Sequence, residues 1–171
     1  MSLLHANSSA LLVVDLQERL MPAIAGGDAV LENNARLVRA ATRLGVDVRA
    51  TEQNPRGLGP TVEEIAALLP RPAQAKTSFA AGIDPGPGTV VVTGCEAHVC
   101  VLQTALALRE RGRDVAVVAD AVGSRAESNR DRALDRMRDH GVDVVTAEMV
   151  VFEWLHDSDA PAFREVLELV K

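Results

Sequence analysis

The chain has 171 residues, a length that fits one domain with a substantial core, and it carries a net charge of −6. That balance, with no Tyr, one Trp and three Phe, argues against a nucleic-acid partner, which calls for a basic face and stacking aromatics. No apolar run approaches the length of a membrane span, and the first residues lack the charged-then-apolar order of a signal peptide, so a cytoplasmic protein is expected.

In chain order, apolar runs alternate with amphipathic patterns. Strands are predicted near residues 10–14, 46–51, 89–94, 114–119 and 142–146, and helices near 28–44, 61–69, 98–111, 128–140 and 160–170. In the first helix Val30, Leu31, Asn34, Leu37, Val38, Ala41 and Leu44 form a stripe that should pack on a sheet. Gly45, Gly112 and Gly141 each follow a helical pattern and precede a strand. Such alternation implies a doubly wound, mostly parallel α/β sheet in three layers, a Rossmann-like single domain over 1–171. Ligands in such sheets bind at the carboxyl ends of the strands. Residues 147–155 suit either a short helix or a buried strand end. The apolar set Val150, Val151, Phe152, Trp154 and Leu155 in that segment is expected to be exposed and to serve a subunit contact, giving a homo-oligomer.

Three residues carry candidate chemistry. Cys100 follows an apolar strand and a sharp turn and opens a helical pattern, where free N–H groups and the helix dipole favour an anion. A thiol there is expected to ionise more easily than free cysteine and to act as a nucleophile, the competing reading being a small buried hydrophobe. Asp15 ends the apolar run 10–14, and Lys76 lies in a short segment ahead of the Gly-Pro cluster that precedes the Cys strand. A strand-end Asp also caps turns, and a lone Lys is often a solvated charge. Cys95 and Cys100, separated by four residues, do not make a zinc spacing with the scattered His5, His98, His140 and His156. Both cysteines are read as reduced, with Cys95 in a packing role. Gly86-Pro87-Gly88 precedes a strand and is not a dinucleotide loop, and no phosphate loop is present, so no cofactor is expected.

The stretches Val13-Val14-Asp15-Leu16-Gln17, Lys76-Thr77-Ser78-Phe79 and Gly94-Cys95-Glu96-Ala97-His98-Val99-Cys100-Val101 resemble the isochorismatase-like cysteine hydrolases. The likeness is nearest to the isochorismatase domain-containing branch, through residues 51–59, Val118-Ala119-Asp120-Ala121-Val122, Ser124-Arg125 and Phe163-Arg164-Glu165. The resemblance implies Asp15 as general base, Lys76 as its cation and Cys100 as nucleophile, with hydrolysis of an amide, ureide or carbamoyl compound through a thioester. It further implies a cis peptide between Cys95 and Glu96, with the N–H groups of Glu96 and Cys100 as an oxyanion hole. The pocket would be lined by Gln17, Leu20, Gln53, Leu58 and Phe79 around a small-molecule substrate. Nicotinamidases of this family carry metal-binding histidines after the second strand; Glu52-Gln53-Asn54-Pro55-Arg56-Gly57 has none, so no metal and no nicotinamide substrate are expected. The isochorismatases proper lack the cysteine, which makes their vinyl-ether reaction a poor fit. Two non-hydrolytic alternatives are a binding scaffold that keeps the pocket and a thiol redox sensor using Cys95 and Cys100.

Overall fold

The computed structural model describes residues 3–83 and 85–170; Met1, Ser2, Asp84 and Lys171, which the domain expected over 1–171 includes, lie outside the described residues. Six parallel strands form the central sheet. They are β1 (Ser9–Val14), β2 (Asp47–Gln53), β3 (Gln74–Lys76), β4 (Thr89–Cys95), β5 (Val115–Gly123) and β6 (Asp143–Val145), in the order β3-β2-β1-β4-β5-β6. The order reverses between β1 and β4, and this is where a doubly wound sheet opens a crevice at its carboxyl edge.

Alternation along each strand sends successive side chains to opposite faces. Leu11 and Val13 of β1 and Val91 of β4 enter one core, while Leu12, Val14, Val90 and Val92 enter the other. The first face is covered by α1 (Gly27–Leu44), α6 (Ala147–Leu155) and α7 (Phe163–Leu167), through Leu37, Val150, Trp154 and Val166. The second is covered by α4 (Leu102–Glu110) and α5 (Glu127–Asp139), through Ala105, Leu108, Ala133 and Met137. A strand flanked on both faces must be apolar throughout, which is why β1 and β4 read as uninterrupted runs. Two short helices, α2 (Pro55–Leu58) and α3 (Glu63–Ala66), follow β2.

The predicted stripe of α1 packs as expected, and its one polar member is satisfied: Asn34 Nδ2 donates to the carbonyls of Val30 and Ala121 at 2.8 Å each. Gly45 ends α1 with φ +73°, its N–H donating to Ala41 and Thr42. Four sequence expectations are corrected. Residues 74–76 form a sixth, edge strand, held by pairing with Thr51–Gln53; three residues are too few for periodicity to register. Helices expected over 61–69 and 160–170 shorten to α3 and α7, and 98–111 divides into a π-helical turn, Ala97–Val101, followed by α4.

The segment 147–155 is helical, and its apolar set is not an exposed patch. Val150, Val151, Trp154 and Leu155 are buried within this chain against the first sheet face, leaving Phe152 and Met149 exposed. A helix with apolar residues on more than one side reads the same whether its partner is its own sheet or a second subunit.

In β5 the alternation slips. Ala116 and Val118 face the first core, yet beyond Ala119 and Asp120 it is Ala121 that does so, and the pairing with β4 shifts between Val92 and Gly94. This bulge bends the strand ends so that Cys95 pairs with Gly123 and Glu96 comes beside Ser124 and Arg125. Gly94, at φ +106°, lies tight against β1: a Cβ there would collide with the Val14 carbonyl oxygen.

Candidate functional site

The carboxyl ends of β1, β3 and β4 converge on three side chains. Asp15 follows β1 directly, with a left-handed φ of +52°, a strained conformation for a residue with a Cβ. The turn is closed by Asp15 N–H donating to Thr51 O at 3.1 Å and Gln17 N–H donating to Asp15 O at 3.0 Å. Its carboxylate is fully buried. Oδ2 accepts from Lys76 Nζ at 2.7 Å, and Oδ1 accepts from Thr51 Oγ1 at 2.7 Å.

Lys76, the last residue of β3, is buried and far from a solvated surface charge. Its ammonium also donates to Gln53 Oε1 at 2.7 Å, Phe79 O at 3.1 Å and Ser78 O at 3.3 Å. A buried ion pair of this kind persists only when hydrogen bonds meet the rest of each charge's valence, and here they do.

Cys100 lies in the π-helical turn after β4, 6 % exposed, within hydrogen-bond reach of Asp15 and Lys76. The sequence expectation of an easily ionised thiol is reversed. Burial, then the charge of Asp15 and its hydrogen bond to the sulfur, push the Cys100 thiol up to about 12, and Lys76 only partly offsets them. Desolvation leads, and the Lys76 ammonium that would offset it is already engaged by Asp15. The resting site therefore holds a thiol beside an ion pair. Cys95, fully buried beneath the same turn, is likewise pushed up to about 12 by desolvation. Both cysteines are free thiols.

A pocket of about 220 Å³ opens over the sulfur, lined by Asp15, Leu20, Gln53, Leu58, Phe79, Glu96, Val99, Cys100 and Arg125. Of the residues expected to line it, Leu20, Gln53, Leu58 and Phe79 are there. Gln17 is not. It is buried behind the wall as a brace, its Nε2 donating to Gly59 O at 2.7 Å and Gln53 O at 3.1 Å and its Oε1 accepting from Gln53 N–H at 2.8 Å. The peptide bond between Cys95 and Glu96 is cis. A wider groove of about 490 Å³ lies elsewhere, bounded by Glu52, Thr61 and Leu69 to Ala73. It has no thiol, and its carboxylate, Glu52 Oε1, accepts from both Thr61 N–H and Thr61 Oγ1 at 2.7 Å.

Three contributors escaped the sequence reading as individual roles: Thr51, which fixes Asp15, and the side chains of Glu96 and Arg125 at the pocket wall. Arg125 lies two residues past the end of β5, a positional signal that its Arg-rich neighbourhood masked. Among the described residues no group of three or more His, Cys, Asp or Glu could hold a metal ion, and no helix is long and apolar enough to cross a membrane.

A parallel sheet with a thiol, a carboxylate and an ammonium at its topological switch point defines a class of α/β protein, and comparison with known proteins gives that class its family. The isochorismatase domain model matches residues 9–149, and the chain belongs to the isochorismatase-domain family. It is 39 % identical to isochorismatase domain-containing protein 2 of Danio rerio over 98 % of this chain and 89 % of that protein. It is 38 % identical to isochorismatase domain-containing protein 2 of Homo sapiens over 96 % of this chain and 83 % of that one. Among solved structures, the MAR1 ribonuclease of Caenorhabditis elegans superposes with a TM-score of 0.95 at 37 % identity, covering 99 % of this chain and 92 % of that one. The Escherichia coli YcaC gene product, described as an octameric hydrolase of unknown specificity, gives 0.90 at 28 % identity over 99 % and 91 %. YcaC from Pseudomonas aeruginosa, solved with hexane-2,5-diol and covalent acrylamide, gives 0.89 at 26 % identity over 98 % and 91 %.

Proposed function

We propose that this protein is a cysteine-dependent hydrolase of a C–N bond in a small amide, ureide or carbamoyl compound. The observation that carries this reading is the Cys100 thiol in one pocket with the buried Asp15 carboxylate, which accepts from Lys76 Nζ at 2.7 Å. Because the resting thiol is protonated, attack and deprotonation are coupled: Asp15 takes the proton as the sulfur adds to the substrate carbonyl carbon. The resulting oxyanion is met by the N–H groups of Glu96 and Cys100. As the C–N bond breaks, Asp15 returns that proton to the departing amine, leaving a thioester on Cys100. Water, deprotonated by Asp15, then attacks the thioester, and Asp15 returns that proton to the Cys100 sulfur as the C–S bond breaks and the acid leaves. Lys76 holds Asp15 oriented between steps through their 2.7 Å contact, and the proposed route uses no cofactor or metal. A scaffold would have no need to keep a buried ion pair beside a thiol. A redox sensor needs an accessible resolving thiol, and Cys95 is fully buried.

Covalent acrylamide on the P. aeruginosa relative supports a reactive nucleophile in a fold of this kind. The C. elegans relative is named a ribonuclease, but a chain of net charge −6 with Asp15 and Glu96 in its pocket is a poor host for a phosphodiester. The octameric E. coli relative supports a homo-oligomer, and reduced thiols suit the cytoplasm. The test is ammonia release from a panel of small amides, ureides and carbamoyl compounds, with an RNA oligomer alongside. The expected result is turnover of at least one small compound, lost in Cys100→Ala. RNA cleavage alone, or full activity in Cys100→Ala, overturns the reading.

A further inference from the structure

A second ion pair, Glu96 with Arg125, also lines the pocket, its Arg125 side chain 64 % exposed at the rim. Glu96, its side chain 9 % exposed, uses a single oxygen twice: Oε2 accepts from Arg125 N–H at 2.9 Å and from Arg125 Nε at 3.1 Å. Binding backbone and side chain of one residue together orients the base of the guanidinium toward Glu96. Two functions remain uncommitted among the described residues: Glu96 Oε1, an acceptor, and the two terminal nitrogens of Arg125, which are donors. Both residues line the wall of the Cys100 pocket. The bulge in β5 is what brings them there, by setting Ser124 and Arg125 against the turn that carries Glu96.

The charges decide what can dock. An anionic group would gain Arg125 but meet the Glu96 carboxylate, and an ammonium would gain Glu96 but meet the guanidinium. A neutral group that presents an N–H and a C=O side by side offers a partner to each and is repelled by neither. The remaining walls, Leu20, Leu58, Phe79 and Val99, are apolar, and the volume of about 220 Å³ lies below the range for drug-sized ligands.

We propose that Glu96 and Arg125 form a recognition subsite for a neutral carboxamide or ureide group on the substrate, distinct from the carbonyl that Cys100 attacks. This rests on the hydrolase reading for the identity of the attacked bond, while the subsite itself does not depend on turnover. The substrate class is therefore a small, uncharged molecule with two amide-like groups. Glu96 positions Arg125, and Arg125 discriminates.

The test uses Cys100→Ala protein, in which nothing is turned over, with calorimetric or ligand-observed NMR titration of acetylurea (neutral ureide), N-acetylglycine (anionic) and N-ethylacetamide (one amide, apolar tail). Acetylurea is expected to bind about tenfold or more tighter than either of the others. Adding Arg125→Met abolishes that preference. Adding Glu96→Gln, which leaves the guanidinium unneutralised, moves the order toward N-acetylglycine, a reversal that general loosening of the pocket would not produce. N-acetylglycine binding tightest with Glu96 intact, or an order indifferent to both substitutions, overturns the subsite. Failure of the hydrolase reading is separate: wild-type protein would leave acetylurea intact and Cys100 unacylated while the binding order persisted.

Discussion

Replacing Asp15 by Asn should make Cys100 more reactive toward a simple alkylating agent while making the protein a worse hydrolase. With its thiol pushed up to about 12, Cys100 is ionised at pH 7 far less than a free cysteine. The Asp15 charge and its hydrogen bond are the second and third causes of that shift after burial. Two unit charges 4 Å apart interact by about 4 kcal/mol at an effective dielectric of about 20, or about three pKa units, and the opening to solvent screens part of it. A drop of about one to two units is expected. The thiolate's nucleophilicity falls with its pKa, removing about half the gain in logarithmic terms, so the net acceleration is about 3- to 10-fold. The fold should survive at a cost of up to about 3 to 5 kcal/mol for breaking the buried pair, because Lys76 Nζ keeps Gln53 Oε1, Ser78 O and Phe79 O. The assay is the rate of iodoacetamide labelling of the Cys100 peptide by mass spectrometry at pH 7, beside turnover of whichever amide the screen yields. Turnover should fall about 100-fold or more, the usual contribution of a positioned base. Labelling that slows or stays unchanged in Asp15→Asn would refute the view that the carboxylate holds the thiol protonated.

Lys76→Met acts in the opposite sense on labelling, since Lys76 is the one group that lowers the Cys100 value; alkylation at pH 7 should slow further, and removing one partner of a buried pair should cost about 3 to 5 kcal/mol in urea unfolding. Thr51→Val deletes the hydrogen bond to Asp15 Oδ1 and should lower stability by about 1.5 to 3 kcal/mol and kcat with it, read by thermal unfolding and turnover. Both thiols are raised from 9.0 to about 12, so the unfolded chain loses their protons first; Tm should fall as pH rises from about 9 toward 12, and Cys95→Ala should flatten that slope. Gly94→Ala should leave little folded protein on expression, because its Cβ would meet the Val14 carbonyl at a positive φ.

Much of the fold was legible because both sheet faces are covered. Continuous apolar runs marked β1 and β4, and one long amphipathic stripe marked α1. What escaped was set by tertiary context. The edge strand Gln74–Lys76 exists because β2 offers it a partner, and the short α3 and α7 end where packing ends. The apolar residues of α6 announce burial without naming the partner, so a helix packed on its own sheet was read as a subunit contact. At the site, Asp15, Lys76 and Cys100 stood out as strand-end and helix-start residues. The thiol's charge state did not, because the helix dipole and a nearby lysine were visible in the sequence while the desolvation and the prior claim of Asp15 on that lysine are properties of the folded site. Gln17 was misassigned for a related reason: an amide at a strand end lines a pocket or braces its wall according to a rotamer.

The central claim, a thioester on Cys100 formed with Asp15 as base, is tested most directly by trapping it. Wild-type protein is mixed with an amide substrate found in the screen, quenched in acid within the first turnover, and the intact mass and Cys100 peptide are measured. The expected result is an acyl adduct on Cys100 alone, absent in Cys100→Ala, with one equivalent of ammonia released in the burst. Full turnover with no adduct on Cys100 at any time, or hydrolysis retained in Cys100→Ala, would contradict the account.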